Sequence, residues 1–335
     1  MANDPHIYVA VRPDEYDKLF DDATTAALAQ LGTVTFAEGE GKMVLPTDVA
    51  DAADVLITSW STQPFDPAQV RGSRLQLAVH AAGTIRGLFP KSVLSSGLRV
   101  AQGGSAAMAL PVAEMALTLT LALLRNLHTH DRALQSTRDW VAGGTGILGR
   151  SIQAQHIGIV GLSRTGRHYA EMLHGLGVRR ISAYDPYISS ADAEALGVQL
   201  LDLDDLFAGS DVVAVHAPVT PETRGLIDAE TLSKLRDGAT LINTARSAVT
   251  DEPALVAELV SGRINAGLDV FDSEPLPPDS PLFGLPNVLL TPHVAGGTVE
   301  ARFAQGATVV AEVERFLAGA ELQHEVTAEI YDRLS

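Results

Sequence analysis

Cysteine is absent from the 335-residue chain, which excludes disulfides, thiolate zinc sites and cysteine nucleophiles. No metal site is expected, and the absence agrees with a reducing compartment, so the cytoplasm is the expected location. Basic residues are scarce: 24 Lys and Arg against 41 Asp and Glu leave a formal charge of −17. A surface of that sign repels phosphate backbones and anionic lipid, and no block of Lys or Arg compensates, so neither nucleic acid nor a membrane is an expected partner. A membrane-length apolar run is also missing. The most apolar stretch, Ala106 to Leu124, contains Pro111, Glu114, Thr118 and Thr120 and reads as a buried helix. The opening MANDPHIYVAVRP has no basic flank before a long apolar core and reads as a strand, not a signal peptide. There is no short-period repeat or low-complexity tract.

What is present is alternation. From His6 to Val100, β-rich runs (HIYVAV, TVTFA, DVLITS, LQLAVHA, LRVA) are separated by helical patterns such as DEYDKLFDDATTAALAQLG, read as one helix. Such alternation predicts a parallel sheet covered by helices on both faces. A long helix from about Ala109 to Leu127 leads into the glycine-rich TRDWVAGGTGILGRSIQAQ. Its GGTGILGR lacks the Gly-Lys-Ser/Thr ending of a phosphate loop and follows no strand, so it is read as a connector. Six strand candidates then run from Ile157 to Thr291, with helices between them that include DAETLSKL and EPALVAELVSG. Past His293, GGTVEARFAQGATVVAEVERFLAG is a single helical pattern with no strand partner and is expected to return to the first domain. The length fits about two domains.

The most informative stretch is HIGIVGLSRTGRHYAEMLHGLG with the following RRISAYD. Apolar Ile157 to Val160 predict a buried strand, Gly161 a tight turn, and the residues from about Arg164 an amphipathic helix. This is the βαβ dinucleotide fingerprint, with Gly166 allowing close helix–strand packing and Asp185 as the acid that binds a ribose 2′-hydroxyl. The middle glycine, where backbone approaches a pyrophosphate, is replaced by Ser163. Asp185 is followed by Pro186 and Tyr187 with no adjacent Arg, so a 2′-phosphate would meet a carboxylate and no counter-charge; NAD is expected over NADP.

Ligands of open α/β sheets sit beyond the carboxyl ends of the strands. Four residues stand there: His216 (with Pro218) after DVVAV, Arg246 after LINTA, Asp269 after NAGL and His293 after LLTP, with Glu274 in the loop DSEPLPP. Hydride arriving at a carbonyl carbon leaves an oxygen that needs a proton, which an imidazolium supplies near neutral pH. A carboxylate beside the ring fixes its tautomer, and a guanidinium grips a substrate carboxylate in a bidentate fork. Taken singly, each has a plainer reading: a packed histidine, a solvated arginine, a loop acid, a turn cap. Their shared location favours the chemical one. His216 and Pro218 read as a strand-ending turn that borders the cofactor.

GLSRTGR, HAPVTPETRGLID, LINTARSAVTDEPALVAEL and GLDVFDSEPLPPDSPLFGLPNVLLTPHVAG resemble, in order and spacing, the signatures of the D-isomer-specific 2-hydroxyacid dehydrogenases, over roughly Ala106 to Gly296. The resemblance implies two doubly wound parallel-sheet domains: a flavodoxin-like substrate domain from residues 1–106 plus 297–335, and a Rossmann NAD-binding domain over 107–296. It implies that Arg246, Glu274 and His293 are catalytic, that Asp269 faces the nicotinamide and that Arg164 approaches the pyrophosphate. Thr165, Thr244, Ala245 and Gly296 in the same turns complete the expected cofactor contacts. Ala82 and Gly83 in HAAGTIRG match the glycine turn whose N–H groups receive the substrate carboxylate, and Arg246 serves there as well. A homodimer, embraced by the helix near Ala109 and the loop after it, is also implied.

Departures from the family pattern matter too. Thr84, Ile85 and Arg86 stand where relatives have an Asp-Asn pair, and Ser247 replaces the glycine after Arg246. Arg86 is a candidate for a second negative charge on the substrate, and Trp60 a candidate for lining its site. Formate dehydrogenases carry Gln at the position of Glu274, so formate oxidation is disfavoured. The leading expectation is an NAD-dependent enzyme interconverting a 2-keto acid and its D-2-hydroxy acid. The competing ones are an NAD(H)-responsive, corepressor-like binding protein and a dehydrogenase of the same scaffold acting on phosphite or a phosphonate-bearing acid.

Overall fold

A computed structural model describes residues 4–72, 74–104 and 106–333, which fall into two compact units, Met1–Met108 with Gly297–Ser335, and Ala109–Gly296. The first unit is built on a five-stranded parallel sheet of β1 (His6–Ala10), β2 (Thr33–Phe36), β3 (Val55–Thr58), β4 (Leu77–His80) and β5 (Arg99–Gln102). Their order is β2-β1-β3-β4-β5, the flavodoxin-like arrangement. Period-two alternation divides its strands between two cores: Leu56, Ala78 and Val100 face one, while Val55, Ile57, Leu77 and Val79 face the other. With both faces covered, the strands read as continuous apolar runs, as parallel sheets do.

The helix Val299–Leu317 closes the second of these cores with Val309, Val310 and Val313. Thr298 caps it by accepting from the Ala301 N–H. The expected single helix over DEYDKLFDDATTAALAQLG is two, Pro13–Leu19 and Asp22–Gln30. Asp21 breaks it, because its side chain accepts from the Thr24 N–H and starts a new helix. Gly306 lies where the long helix meets Leu19, and a methyl group there would run into the Leu19 carbonyl oxygen.

The second unit carries seven parallel strands: β6 (His156–Val160), β7 (Arg180–Tyr184), β8 (Gln199–Leu200), β9 (Val212–Val215), β10 (Thr240–Asn243), β11 (Asn265–Leu268) and β12 (Val288–Leu290). Their order, β12-β11-β10-β9-β6-β7-β8, is the Rossmann order with one strand added. Sequence reading missed β8, whose two residues are too short for a periodicity to show. The helix expected to reach Leu127 ends at Leu124, and Asn126 turns the chain in a left-handed conformation (φ 52°). A second, unexpected helix, Leu127–Thr137, buries none of its residues. The helix Ala109–Leu124 packs on the sheet face beside Ile157, Ile159, Val212 and Ala214, and among the described residues no single helix is long and apolar enough to cross a membrane.

Gly306→Ala should force the helix off Leu19 and cost about 1–3 kcal/mol of stability, as overpacked cores do. A urea denaturation midpoint equal to that of the unsubstituted protein would contradict this contact.

Candidate active site

Sheet order reverses at β6, which pairs with β7 on one side and β9 on the other. Gly161 ends β6 at φ +93°, and a Cβ there would lie 2.8 Å from the Ala217 nitrogen in the turn after β9. Gly166 is equally confined, because a Cβ would strike the Gly161 carbonyl. The helix Arg164–Gly175 starts from this turn with Ser163 as N-cap, and the exposed Ser163 makes no capping hydrogen bond. Its first turn has no acidic residue and includes Arg164, beside half-buried Thr165. A helix N-terminus with that charge favours an anion. Asp185 leaves β7 with Oδ2 accepting from the Leu162 N–H (2.8 Å) and Oδ1 from the Tyr187 N–H (2.9 Å), so it holds the glycine turn as well as facing its rim.

His216, after β9, is buried, and neither ring nitrogen has a partner among the described residues. It packs against Tyr169 with ring centroids 5.1 Å apart. Burial pushes its imidazole down to about 3, so the ring is neutral. Pro218 beyond it is exposed.

The last three strands carry the other residues. After β10, the Asn243 side chain accepts from the Ala245 N–H (3.1 Å) and donates to the Arg246 carbonyl (3.0 Å), tying down the turn that presents Arg246. The buried hydroxyl of Thr244 in that turn has no partner among the described residues. Arg246 donates to the Ala245 carbonyl at 2.7 Å, and burial pulls its guanidinium below the ordinary value while Glu274 pulls it back.

Beyond β11, Asp269 is fully buried, and its carboxylate accepts from Thr291 Oγ1 (2.6 Å), the Val294 N–H (2.9 Å) and the Ala295 N–H (2.9 Å). Its carbonyl accepts from the His293 N–H at 2.9 Å. These bonds fold the segment from Thr291 through Ala295 to Gly296 and hold His293 at φ +53°, a left-handed backbone that non-glycine residues rarely adopt. Resemblance places Asp269 beside the nicotinamide; in the structure its carboxylate binds the turn that carries His293. The His293 Nδ1 lies 2.6 Å from Glu274 Oε2, and Glu274 Oε1 accepts from the Phe271 N–H at 3.0 Å.

Two residues of this rim escaped sequence reading. Asn243 was signalled only by its place three before Arg246. Glu252 opens the helix Glu252–Val260 and accepts from the Asp272 N–H (2.8 Å), bracing the loop that carries Glu274. Burial, with the charges of Asp272 and Glu274, raises its carboxyl above the usual range despite that hydrogen bond.

The sequence pattern of the family described as D-isomer specific 2-hydroxyacid dehydrogenase, NAD binding domain, matches residues 117–295. The chain belongs to that family. It is 36% identical over 311 residues to D-3-phosphoglycerate dehydrogenase of Mycobacterium bovis, covering 89% of this chain and 55% of that one. It is 33% identical over 264 residues to hydroxypyruvate reductase of Thermotoga maritima, covering 78% of this chain and 83% of that one. Among solved structures, D-2-hydroxyisocaproate dehydrogenase matches with a TM-score of 0.83 and 25% identity over 96% of this chain and 99% of that one. The chain spans about half the length of the phosphoglycerate dehydrogenases it matches, 55% for the Mycobacterium bovis protein.

The residues present fit NAD. A glycine that admits no side chain, a helix start without acids, Asp185 at the next strand end and the unpartnered Thr244 and His216 side chains share one edge of the sheet. Among the described residues no group of three or more His, Cys, Asp or Glu could hold a metal ion.

The other expected substrate residues, Ala82, Gly83, Arg86 and Trp60, belong to the first unit. Ala82 is buried in the turn after β4, and among the described residues its N–H and that of Gly83 have no acceptor. The Gly83 carbonyl accepts from Gln102 Nε2. Trp60 follows β3 and is 41% exposed. Arg86, the candidate for a second substrate charge, is exposed. Its Nε (3.2 Å) and Nη2 (2.9 Å) both donate to the Tyr331 carbonyl, and the guanidinium lies 5.6 Å from the Tyr331 ring centre. The geometry makes it a tether for the helix Ala328–Arg333.

A neutral buried His216 has a definite pH signature. Its folded value near 3 lies below the ordinary 6.5, so the stability it contributes is complete above pH 6.5 and is lost as pH falls from there toward 3. The urea midpoint of the protein should fall between pH 7.5 and 5. His216→Phe should make that slope shallower by about one proton; an unchanged slope would show that the ring is not held neutral.

Proposed function

We propose that the protein is an NAD-dependent oxidoreductase that interconverts a 2-keto acid and its D-2-hydroxy acid. The observation that carries this is the 2.6 Å contact of His293 Nδ1 with Glu274 Oε2 on the rim that also holds Arg246. NAD(H), when bound, supplies or accepts the hydride at the carbon bearing the oxygen. His293 handles the proton: with Nδ1 committed to Glu274, Nε2 is the nitrogen that gives a proton to the nascent alkoxide during reduction and removes one from the hydroxyl during oxidation. Glu274 fixes the ring's tautomer and balances its charge when protonated. Arg246 offers a planar fork to the substrate carboxylate and polarises the neighbouring ketone.

Asp269 acts through the Thr291–Ala295 turn and is a positioning residue. The cofactor is held by Gly161 to Gly166 at its pyrophosphate and Asp185 at its ribose, bordered by His216, Pro218, Thr244, Ala245 and Gly296. Residues 107–296 form the dinucleotide-binding domain. The first unit is the substrate domain, where the N–H groups of Ala82 and Gly83, without an acceptor among the described residues, suit a carboxylate.

The assembly we propose is a homodimer. The helix Leu127–Thr137 and the loop after it leave Leu127, Leu134, Trp140, Val141, Ile147 and Leu148 exposed, Leu148 by 87%. Apolar side chains grouped on one arm are the mark of a surface that a partner covers. A cytoplasmic location and the absence of nucleic-acid or membrane partners rest on the missing cysteine and the charge of −17.

Replacing His293 by Ala should lower turnover of keto acids by about 10²- to 10⁴-fold while NADH affinity stays within threefold, a split that steady-state rates and NADH fluorescence titration measure. Turnover that survives the change would remove His293 from the mechanism. Light scattering should give twice the 35.3 kDa chain mass, and the double change Trp140→Ser with Leu148→Ser should lower it toward one chain. A monomer at the outset would rule the dimer out.

A further inference from the structure

The first unit has its own topological switch point, between β1 and β3. Open α/β sheets bind ligands outside such a point, beyond the carboxyl ends of the strands. What lies there is the segment after β3. Ser61 Oγ accepts from the Arg12 N–H (2.9 Å), Thr62 Oγ1 donates to the Ala10 carbonyl (2.6 Å), and the Ser61 N–H donates to Glu15 Oε2 (3.0 Å). These bonds fix the chain directly after Trp60, and the Ser59 N–H before it donates to Thr62 Oγ1 (2.9 Å). From the first turns of the helix Val299–Leu317, Arg302 reaches over the Trp60 ring with its guanidinium carbon 4.0 Å from the ring centre.

Arg302 differs from the other half-buried arginines of this unit. Arg74 pairs with Asp54 (2.8 Å), Arg99 with Glu325 (2.7 Å), Arg12 with Asp14 and Arg315 with Glu312. Arg302 has no carboxylate within 4.0 Å among the described residues, and its one hydrogen bond there is a long one, 3.4 Å to Gln305 Oε1. Burial draws its guanidinium below the ordinary value, and Glu15 acts on it from farther away in the opposite sense. A partly desolvated cation with this little compensation is a group built to meet an anion. Stacking on Trp60 holds the guanidinium plane and leaves its edge donors available for bidentate bonding.

Gln305 links this place to the Ala82–Gly83 turn. It is fully buried, its Oε1 faces Arg302, and its Nε2 has no partner among the described residues. A Cβ placed on Gly104 would touch the Ala82 carbonyl and lie 2.8 Å from Gln305 Nε2, so that amide adjoins the turn that suits a carboxylate. Two anion-receptive places thus stand side by side in one unit, bridged by one glutamine.

We propose that Arg302, held over the Trp60 ring, reads a second negative charge on the substrate, a carboxylate or phosphate borne on the chain beyond the 2-keto acid group. This rests on the keto-acid reading above and narrows it: the preferred substrate is a dianion, and Arg302 takes the role for which sequence alone offered Arg86, whose guanidinium donates to the Tyr331 carbonyl. Glu15 tempers the affinity.

The test compares two pairs of keto acids, each pair differing by one anionic group: 2-oxobutanoate with oxaloacetate, and hydroxypyruvate with its 3-phosphate. The unsubstituted protein should favour the doubly charged member of one pair, which identifies carboxylate or phosphate. In that pair Arg302→Gln should lower the dianion-to-monoanion ratio of kcat/KM by about 10- to 100-fold, the range of a charge-assisted pair, and Arg302→Lys should restore part of it. A ratio that Arg302→Gln leaves unchanged in both pairs overturns the proposal.

Binding separates this result from failure of the keto-acid reading. In a Trp140→Phe background Trp60 is the only tryptophan, the chain having two. Succinate or phosphoglycolate should then change its fluorescence saturably, and Arg302→Gln should abolish the change. If no keto acid is turned over but this response is present and Arg302-dependent, the anion site stands and the assigned reaction falls. If keto acids are turned over and neither anion gives a saturable, Arg302-dependent response, the anion site falls and the reaction stands.

Discussion

The buried carboxylate of Asp269 is the group on which the catalytic rim depends. A fully desolvated charge is costly unless donors surround it, and Asp269 recruits three from the segment Thr291–Ala295. That requirement folds the segment tightly enough to hold His293 in a left-handed backbone conformation, with its ring against Glu274. The His293 N–H, donating to the Asp269 carbonyl, holds the same backbone from the other side. The geometry proposed for proton transfer is therefore set one residue layer away from the His293 ring.

The same economy recurs along the edge of the second sheet. Asn243 folds the turn that presents Arg246, Glu252 braces the loop that presents Glu274, and Asp185 secures the glycine turn it faces. Parallel strands all end at one edge, so each strand's terminal turn adds a polar group to the same rim, and short side-chain-to-backbone bonds are enough to aim it. Ser163 is tolerable in place of a glycine because it is an exposed helix cap whose side chain meets no clash of the kind that confines Gly161 and Gly166.

Recognition by the first unit turns on how its arginines are compensated. Arg86 and Arg302 look alike in sequence, each a lone basic residue beside small or apolar neighbours. One lies against a backbone carbonyl and a tyrosine ring of the C-terminal helix; the other lies on an exposed tryptophan with no carboxylate within 4.0 Å among the described residues. Only the second is placed at the switch point where a parallel sheet receives a ligand.

Strand after strand was legible in the chain, because a sheet buried on both faces demands unbroken apolar runs and its helices a period near 3.6. The βαβ turn, the acid Asp185 and the strand-end residues Arg246, Asp269 and His293 were legible for the same local reason: each follows directly on a recognisable strand. Features without a local period were not. The two-residue β8, the break at Asp21 and the separate helix Leu127–Thr137 depend on single hydrogen bonds or one left-handed residue. The partners of Asp269, the bracing by Glu252, the commitment of Arg86 to Tyr331 and the stacking of Arg302 on Trp60 join residues from 20 to 245 positions apart. Sequence by itself determined the family, the two sheets and the chemical types on the rim, since these follow from local pattern. Tertiary structure alone decided which charges are compensated and which await a ligand, because compensation is a matter of distance in space.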